Sequence, residues 1–331
     1  MAKVAINGLG RIGRAAFKIL FDTPGLDVVA VNDIAPWDNL AYLLRYDTVY
    51  GRWNKQVQLQ GDTLTIDGAK VRMLQERDPT QLPWAELGVD IAFECTGVFT
   101  KAEDMQKHVQ AGAKYVILSA PTKSAEVPTV IYGVSPTDQS NRLMSCASCT
   151  TNSITPVVEI LERRIGIKKA IMTTIHGYTS TQRLVDLPHK KWRRGRAAAA
   201  NLVPTTTGAA IATGKALPFI AGRFDGVAVR VPVPVGSLSD MTFLLERETT
   251  VDEVNQIFRE EAATERYQGI FGVTEDPVVS SDIIMDARAS IVDLEMTRVV
   301  DGDLVKVMAW YDNEWGYASQ MVRQALSVAG G

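Results

Sequence analysis

The sequence predicts an α/β first half followed by an α+β second half, and three observations carry that prediction. Residues 3–7, a short apolar strand, run straight into Gly8-Leu9-Gly10-Arg11-Ile12-Gly13 and then into the amphipathic stretch RAAFKIL. From there to residue 121, strand-like and helix-like stretches alternate, as they do where helical crossovers join parallel strands. Residues 227–233, 238–246 and 304–311 instead alternate apolar with polar positions, as strands of an antiparallel sheet do. The chain therefore reads as a Rossmann dinucleotide-binding domain plus an α+β domain whose sheet is mostly antiparallel. The expected boundaries are 1–148 with 313–331 for the first domain and 149–312 for the second.

Bulk properties exclude several classes. At 331 residues and 46% hydrophobic content the chain can fill two cores. A net charge of −3 speaks against a dedicated nucleic-acid binder, and no run of apolar residues is long enough for a membrane span. The opening MAKVAINGLG lacks the basic region and apolar run of a secretory signal and already reads as a strand. Three cysteines, Cys95, Cys146 and Cys149, are too few for a disulfide scaffold and lack zinc spacing, so no metal is expected and the compartment is expected to be a reducing cytoplasm.

Taken in order, the first strand, glycine turn and helix form G-x-G-x-x-G in the context that gives it meaning. Gly8, Gly10 and Gly13 permit the tight turn and the approach of a pyrophosphate, with Arg11 and Ile12 opening the helix whose N-terminus stabilises it. A second strand, 27–31, leads to Asp33, about 20 residues past the motif, where an acidic residue binds the adenosine ribose hydroxyls. Its charge repels a 2′-phosphate, which makes the cofactor NAD. A helix over 38–45, a hairpin-like region over 57–73 and strand 90–94 follow, then a helix over 102–111 and strand 115–118. Strand ends carrying small or hydroxyl residues are where a doubly wound sheet places its nucleotide, so Arg77, Thr96 and Ser119 are further cofactor contacts. Cys95 reads as a packed thiol, and His108, on the polar stretch AEDMQKHVQ, as a solvated side chain.

Cys149 stands at the start of a helix-like run over 154–165, among Ser148, Thr150, Thr151 and Asn152, which favour helix N-termini. The open N–H groups and dipole of such an end favour thiolate over thiol. Strand 169–175 then ends at His176, so the two side chains can meet as nucleophile and acid/base partner, or as a thiolate–imidazolium pair. Cys146 and Cys149 also spell C-x-x-C, but the Thr-Thr-Asn that follows suits a single nucleophile better than a redox pair. A helix over 251–263 and a C-terminal helix over 314–327 complete the pattern, the latter expected to pack on the first domain.

With these residues in order the chain resembles phosphorylating glyceraldehyde-3-phosphate dehydrogenase over nearly its whole length. The resemblance is carried by Ile6-Asn7-Gly8-Leu9-Gly10-Arg11-Ile12-Gly13-Arg14, Ala147-Ser148-Cys149-Thr150-Thr151-Asn152 and Thr174-Ile175-His176-Gly177-Tyr178-Thr179. Arg193-Arg194-Gly195-Arg196, Pro204-Thr205-Thr206-Thr207-Gly208, Arg230-Val231-Pro232 and Trp310-Tyr311-Asp312-Asn313-Glu314-Trp315 extend it. It implies a catalytic second domain, a thioester mechanism, D-glyceraldehyde 3-phosphate and inorganic phosphate as substrates, and a homotetramer. It also implies that Thr179 and Arg230 hold the substrate's C3 phosphate, that Ser148, Thr150, Thr207 and Gly208 hold inorganic phosphate, and that Arg194 is a further substrate contact. Asn313 matches a nicotinamide carboxamide contact, the basic loop over 178–201 a subunit contact, and Leu187-Pro188 an NAD-type pair.

The chain departs from the common family pattern at Ser153, Cys146 and Ser180, where a second cysteine and two asparagines are usual. None of these is the nucleophile, the base or a phosphate residue. Two rival readings remain at this stage: erythrose-4-phosphate dehydrogenase, which releases its acid by hydrolysis, and a non-catalytic NAD- or RNA-binding protein.

Overall fold

The computed structural model describes every residue except Thr137, Gln139 and Gly331. The chain divides into two compact units. Residues 1–132, 136–147 and 321–331 form the first, and 133–135 with 148–320 the second.

The first unit begins with β1 (Ala2–Asn7), α1 (Arg11–Phe21), β2 (Leu26–Asn32) and α2 (Trp37–Arg45). The short strands β3 (Tyr46–Asp47) and β4 (Gly51–Arg52) pair with each other, and β5 (Val57–Gln60), β6 (Thr63–Ile66) and β7 (Ala69–Leu74) follow. Next come α3 (Trp84–Leu87), β8 (Ile91–Glu94), α4 (Ala102–Gln110), β9 (Tyr115–Leu118) and β10 (Leu143–Ser145). Among the described residues the main sheet has eight strands in the order β10-β9-β8-β1-β2-β7-β6-β5. From β10 to β7 every neighbour is parallel; β6 and β5 add an antiparallel edge. Strands covered on both faces read as continuous apolar runs, and Val4, Ala5, Ile6, Ala92 and Phe93 are fully buried accordingly. α1 turns Ala15, Ala16, Phe17 and Leu20 onto the sheet at helical spacing. The hairpin-like region of the sequence is thus three strands that extend the parallel sheet.

His108 overturns its expectation. It is fully buried on α4, because Trp84 of α3 and Glu94 of β8 both offer it hydrogen bonds. A polar helix face is solvated only where no neighbour covers it.

The second unit opens with α5 (Cys149–Arg164) and β11 (Ile167–Gly177). A long loop with only short 3-10 turns leads to β12 (Val203–Thr206), α6 (Ala209–Ala216), β13 (Phe224–Val231), β14 (Ser237–Leu245) and α7 (Val251–Ala262). β15 (Phe271–Thr274), β16 (Ser290–Val300), β17 (Leu304–Tyr311) and α8 (Trp315–Ala329) complete the chain. The sheet runs β12-β13-β11-β14-β17-β16-β15; its β11–β13 and β15–β16 pairs are parallel and the rest antiparallel. α5 buries Ile154, Val157, Val158, Ile160 and Leu161. β14 alternates buried and half-buried residues along its whole length, as a sheet with one covered face requires. The unit boundary differs from the expected one near the C-terminus: Asn313 and α8 through Gln320 belong to the second unit, and the helix enters the first unit only from Met321.

Candidate active site

In the first unit the glycine turn is fixed by contact. Gly8 has φ +96°, and a Cβ there would come within 2.7 Å of the Thr96 backbone nitrogen. A Cβ on Gly13 would stand 2.0 Å from the Gly8 carbonyl oxygen, so helix and turn pack backbone to backbone. Gly10, the N-cap of α1, carries no side-chain cap and faces open space. Beside it lies a cavity of about 370 Å³ lined by Asn7, Gly8, Gly10, Asn32, Asp33, Ile34, Glu76, Arg77 and Thr96, among others. Asp33 is anchored beneath the turn, accepting from the backbone N–H of Leu9 at 2.7 Å and of Ala35 at 2.9 Å. A helix N-terminus, a glycine that leaves room and an acidic residue at the second strand end together fit a dinucleotide.

Not every expected contact lines that cavity. The Arg11 side chain turns to Asp47 at 2.5 Å and stacks on Tyr50, leaving its backbone at the helix start. Ile12, Gly13 and Ser119 lie outside the lining, and Asn313 belongs to the second unit, where its Oδ1 accepts from Ser237 Oγ at 2.8 Å. Asn7 and Glu76 do line it without having been expected; an amide at the strand end before a glycine turn was the available signal.

In the second unit Ser148 caps α5, its Oγ accepting from the Thr151 N–H at 3.2 Å. Cys149 is therefore the first helical residue, and its Sγ lies 3.4 Å from His176 Nε2. His176 sits within β11, paired in register with Arg230 of β13. His176 Nδ1 is 2.7 Å from the Gly177 carbonyl oxygen, and Arg230 Nη1 lies 2.7 Å from Nδ1 and 3.0 Å from the same oxygen. The carbonyl favours a proton on Nδ1, whereas the guanidinium, which can only donate, favours a lone pair there, so the two neighbours call for opposite tautomers.

Electrostatics sets the roles apart. Burial, and next the Arg230 charge, push His176 down to about 3. Burial pushes the Cys149 thiol above its usual range, opposed first by Arg230 and then by the N–H and hydroxyl of Thr150. The resting environment thus disfavours the expected thiolate–imidazolium pair: two separate effects hold the ring unprotonated, and Arg230 is the cation that favours a thiolate. Cys95 and Cys146 are pushed up to about 12 by burial and stay thiols.

The remaining expected residues gather on the same unit. Arg194 donates to Thr205 Oγ1 at 2.9 Å, and its own charge is disfavoured by burial and by Arg230. Neither guanidinium has an ion-pair partner among the described residues, an arrangement suited to anions. Gly208 caps α6 and Thr207 Oγ1 accepts from the Ala209 N–H. Thr179 Oγ1 is 2.8 Å from the hydroxyl of Thr181, a neighbour the sequence reading passed over. Thr150 Oγ1 is turned inward to Tyr311 OH at 2.9 Å, which Thr174 Oγ1 also meets at 2.8 Å. The Thr150 hydroxyl is thus engaged within the unit.

A dinucleotide cleft in one unit, and in the other a half-buried cysteine against a buried histidine, fit an NAD-linked dehydrogenase. Residues 2–102 match the family model described as the glyceraldehyde 3-phosphate dehydrogenase NAD binding domain, and residues 148–313 the one described as its C-terminal domain. The chain is 48% identical over 330 residues to glyceraldehyde-3-phosphate dehydrogenase of Streptomyces coelicolor, covering 98% of each protein. It is 46% identical over 330 residues to that of Geobacillus stearothermophilus, covering 99% of this chain and 98% of the relative. With the Thermotoga maritima enzyme of the same name it shares 48% over 328 residues, 97% of each. The chain belongs to the glyceraldehyde-3-phosphate dehydrogenase family and is an NAD-dependent oxidoreductase.

Proposed function

We propose that the chain oxidises D-glyceraldehyde 3-phosphate with NAD and inorganic phosphate, giving 1,3-bisphosphoglycerate through a thioester on Cys149. The observation that carries this reading is the 3.4 Å approach of Cys149 Sγ to His176 Nε2 at the first turn of α5. NAD, when bound, supplies the hydride acceptor. As Sγ attacks the aldehyde carbon, Nε2 takes the thiol proton and passes it to the developing alkoxide, which the Cys149 N–H at the helix start also stabilises. The environment that pushes His176 down makes it hand that proton on. Nε2 then accepts the hydroxyl proton as the carbon gives up its hydride, leaving the thioester. Phosphate attacks the carbonyl, the C–S bond breaks, sulfur regains its proton from His176, and the phosphate proton leaves to solvent.

Around this centre Thr179, Thr181 and Arg230 hold the C3 phosphate, with Arg194 as a further substrate contact. Ser148, Thr207, Gly208 and the Thr150 backbone receive inorganic phosphate. Two guanidiniums without carboxylate partners support two anions rather than one. Gly8, Gly10, Gly13, the backbone of Arg11 and Ile12, Asp33, Arg77, Thr96, Ser119 and Asn313 serve the cofactor, and Asp33 selects NAD over its 2′-phosphate. The enzyme works as a cytoplasmic homotetramer; Leu184, Val185, Leu187, Trp192 and Leu202, all exposed on the basic loop and its end, support a covering subunit there.

NAD reduction on glyceraldehyde 3-phosphate, measured with phosphate present and then removed, tests the reading. Turnover collapses without phosphate; an unchanged rate would mean that water resolves the thioester.

A further inference from the structure

The first unit buries a carboxylate and an imidazole that no step above uses. Glu94, at the end of β8, and His108, on α4, are both fully inaccessible. The indole of Trp84 can only donate, and it lies 3.1 Å from His108 Nδ1, so the ring carries its proton on Nε2 and donates to Glu94 Oε2 at 3.1 Å. Asn7 Nδ2 donates to the same oxygen at 2.6 Å. The other oxygen accepts from the Thr96 N–H at 2.8 Å and from the Thr96 hydroxyl, whose oxygen in turn accepts from the Val98 N–H. Four donors therefore converge on one carboxylate.

Two of the donor residues, Asn7 and Thr96, stand at the dinucleotide cleft. Asn7 ends β1 and its Oδ1 accepts from Asn32 Nδ2, at the end of β2, at 2.7 Å. Asn32 in turn clamps the backbone of Glu76, donating to its carbonyl at 2.9 Å and accepting from its N–H at 2.8 Å. Asn7, Asn32, Glu76 and Thr96 all line the 370 Å³ cavity. Glu94 is the node where the ends of β1, β2 and β8 are tied together, and His108, locked by Trp84, fixes the orientation of that node.

We propose that Glu94 and His108 are positioning residues for NAD: they set the floor of the cofactor cleft without touching the cofactor. Buried hydrogen bonds to a charged group hold a site in one geometry, so their loss is felt by the ligand that the floor receives. The proposal rests on the cofactor cleft and not on the identity of the aldehyde.

The test titrates NAD into the full chain and measures steady-state kinetics for Glu94→Gln, His108→Leu and His108→Gln. Glu94→Gln and His108→Leu are expected to weaken NAD binding about tenfold and to raise the KM for NAD by the same factor. At saturating NAD, kcat and the KM for the aldehyde should stay within about twofold of the parent. His108→Gln should restore NAD affinity, because its amide oxygen can accept from Trp84 while its NH2 donates to Glu94. Unchanged NAD affinity in Glu94→Gln and His108→Leu overturns the proposal. So does a fall in kcat and affinity together that His108→Gln fails to reverse, which would mean the pair only holds the fold. Should His108→Leu not fold, the isosteric Glu94→Gln decides. Direct NAD binding needs no aldehyde, so its failure is distinct from failure of the substrate reading.

Discussion

α1 and α5 each begin beside a site, and their N-termini are built in opposite ways. α1 starts after Gly10, which has no side chain to cap it. α5 starts after Ser148, whose hydroxyl holds the Thr151 N–H, while Asn152 Nδ2 donates back to the Ser148 carbonyl at 2.9 Å. A helix end that receives a ligand's phosphate keeps room for it, whereas one that aims a nucleophile is tied down by its own side chains.

The largest break in this comparison is chemical. Cys149→Ala should abolish NAD reduction, by about ten-thousandfold or more, while direct NAD titration remains unchanged. A matching loss of NAD binding would show that the two helix ends do not work independently.

An intermediate effect concerns pH. His176 is lowered from 6.5 to about 3, so the folded chain binds fewer protons there than the unfolded chain. The stability this brings is present above pH 6.5 and is lost as pH falls towards 3. In catalysis the ring stays unprotonated through the neutral range and can take the thiol proton as sulfur attacks, so kcat/KM should show no acid limb from His176 near neutrality. Measured as kcat/KM against pH, the rate should therefore stay level from mildly acid to neutral pH. An acid limb near 6.5 that disappears in His176→Asn would contradict this.

The smallest effect sharpens the comparison most. Gly10→Ser supplies the cap that α1 lacks, at an extended backbone position with open space around it. It should stabilise the cofactor-free protein by a few tenths of a kcal/mol, about the usual gain of serine over glycine at an N-cap. It should also raise the KM for NAD, since the new hydroxyl stands where a phosphate is received. Thermal unfolding of the cofactor-free chain and NAD kinetics read the two arms; higher stability with an unchanged or lower KM for NAD would refute the contrast.

The local parts of this design were legible in the sequence. The strand–glycine–helix turn and the capped start of α5 each depend on residues adjacent in the chain, so periodicity and cap chemistry reveal them. What depends on distant partners was not. His108 reads as solvated because nothing local announces Trp84 and Glu94, and the effect of Arg230 on His176 arises only when β11 and β13 pair. β16 hid for a different reason: its pairing with β17 shifts register between Asp293 and Arg298, which breaks the alternation that marks a strand.

The Gly8–Gly13 contact also has a consequence for heredity. Any substitution at codon 13 adds at least one carbon where the Gly8 carbonyl oxygen lies 2.0 Å away, so no neighbouring sequence offers a graded intermediate. Nucleophile loops can be explored by small steps in polarity and size, but this turn can only be kept whole or lost. Lineages that diversify the enzyme are free to vary the walls of its cleft and have no path through this turn of bare backbone.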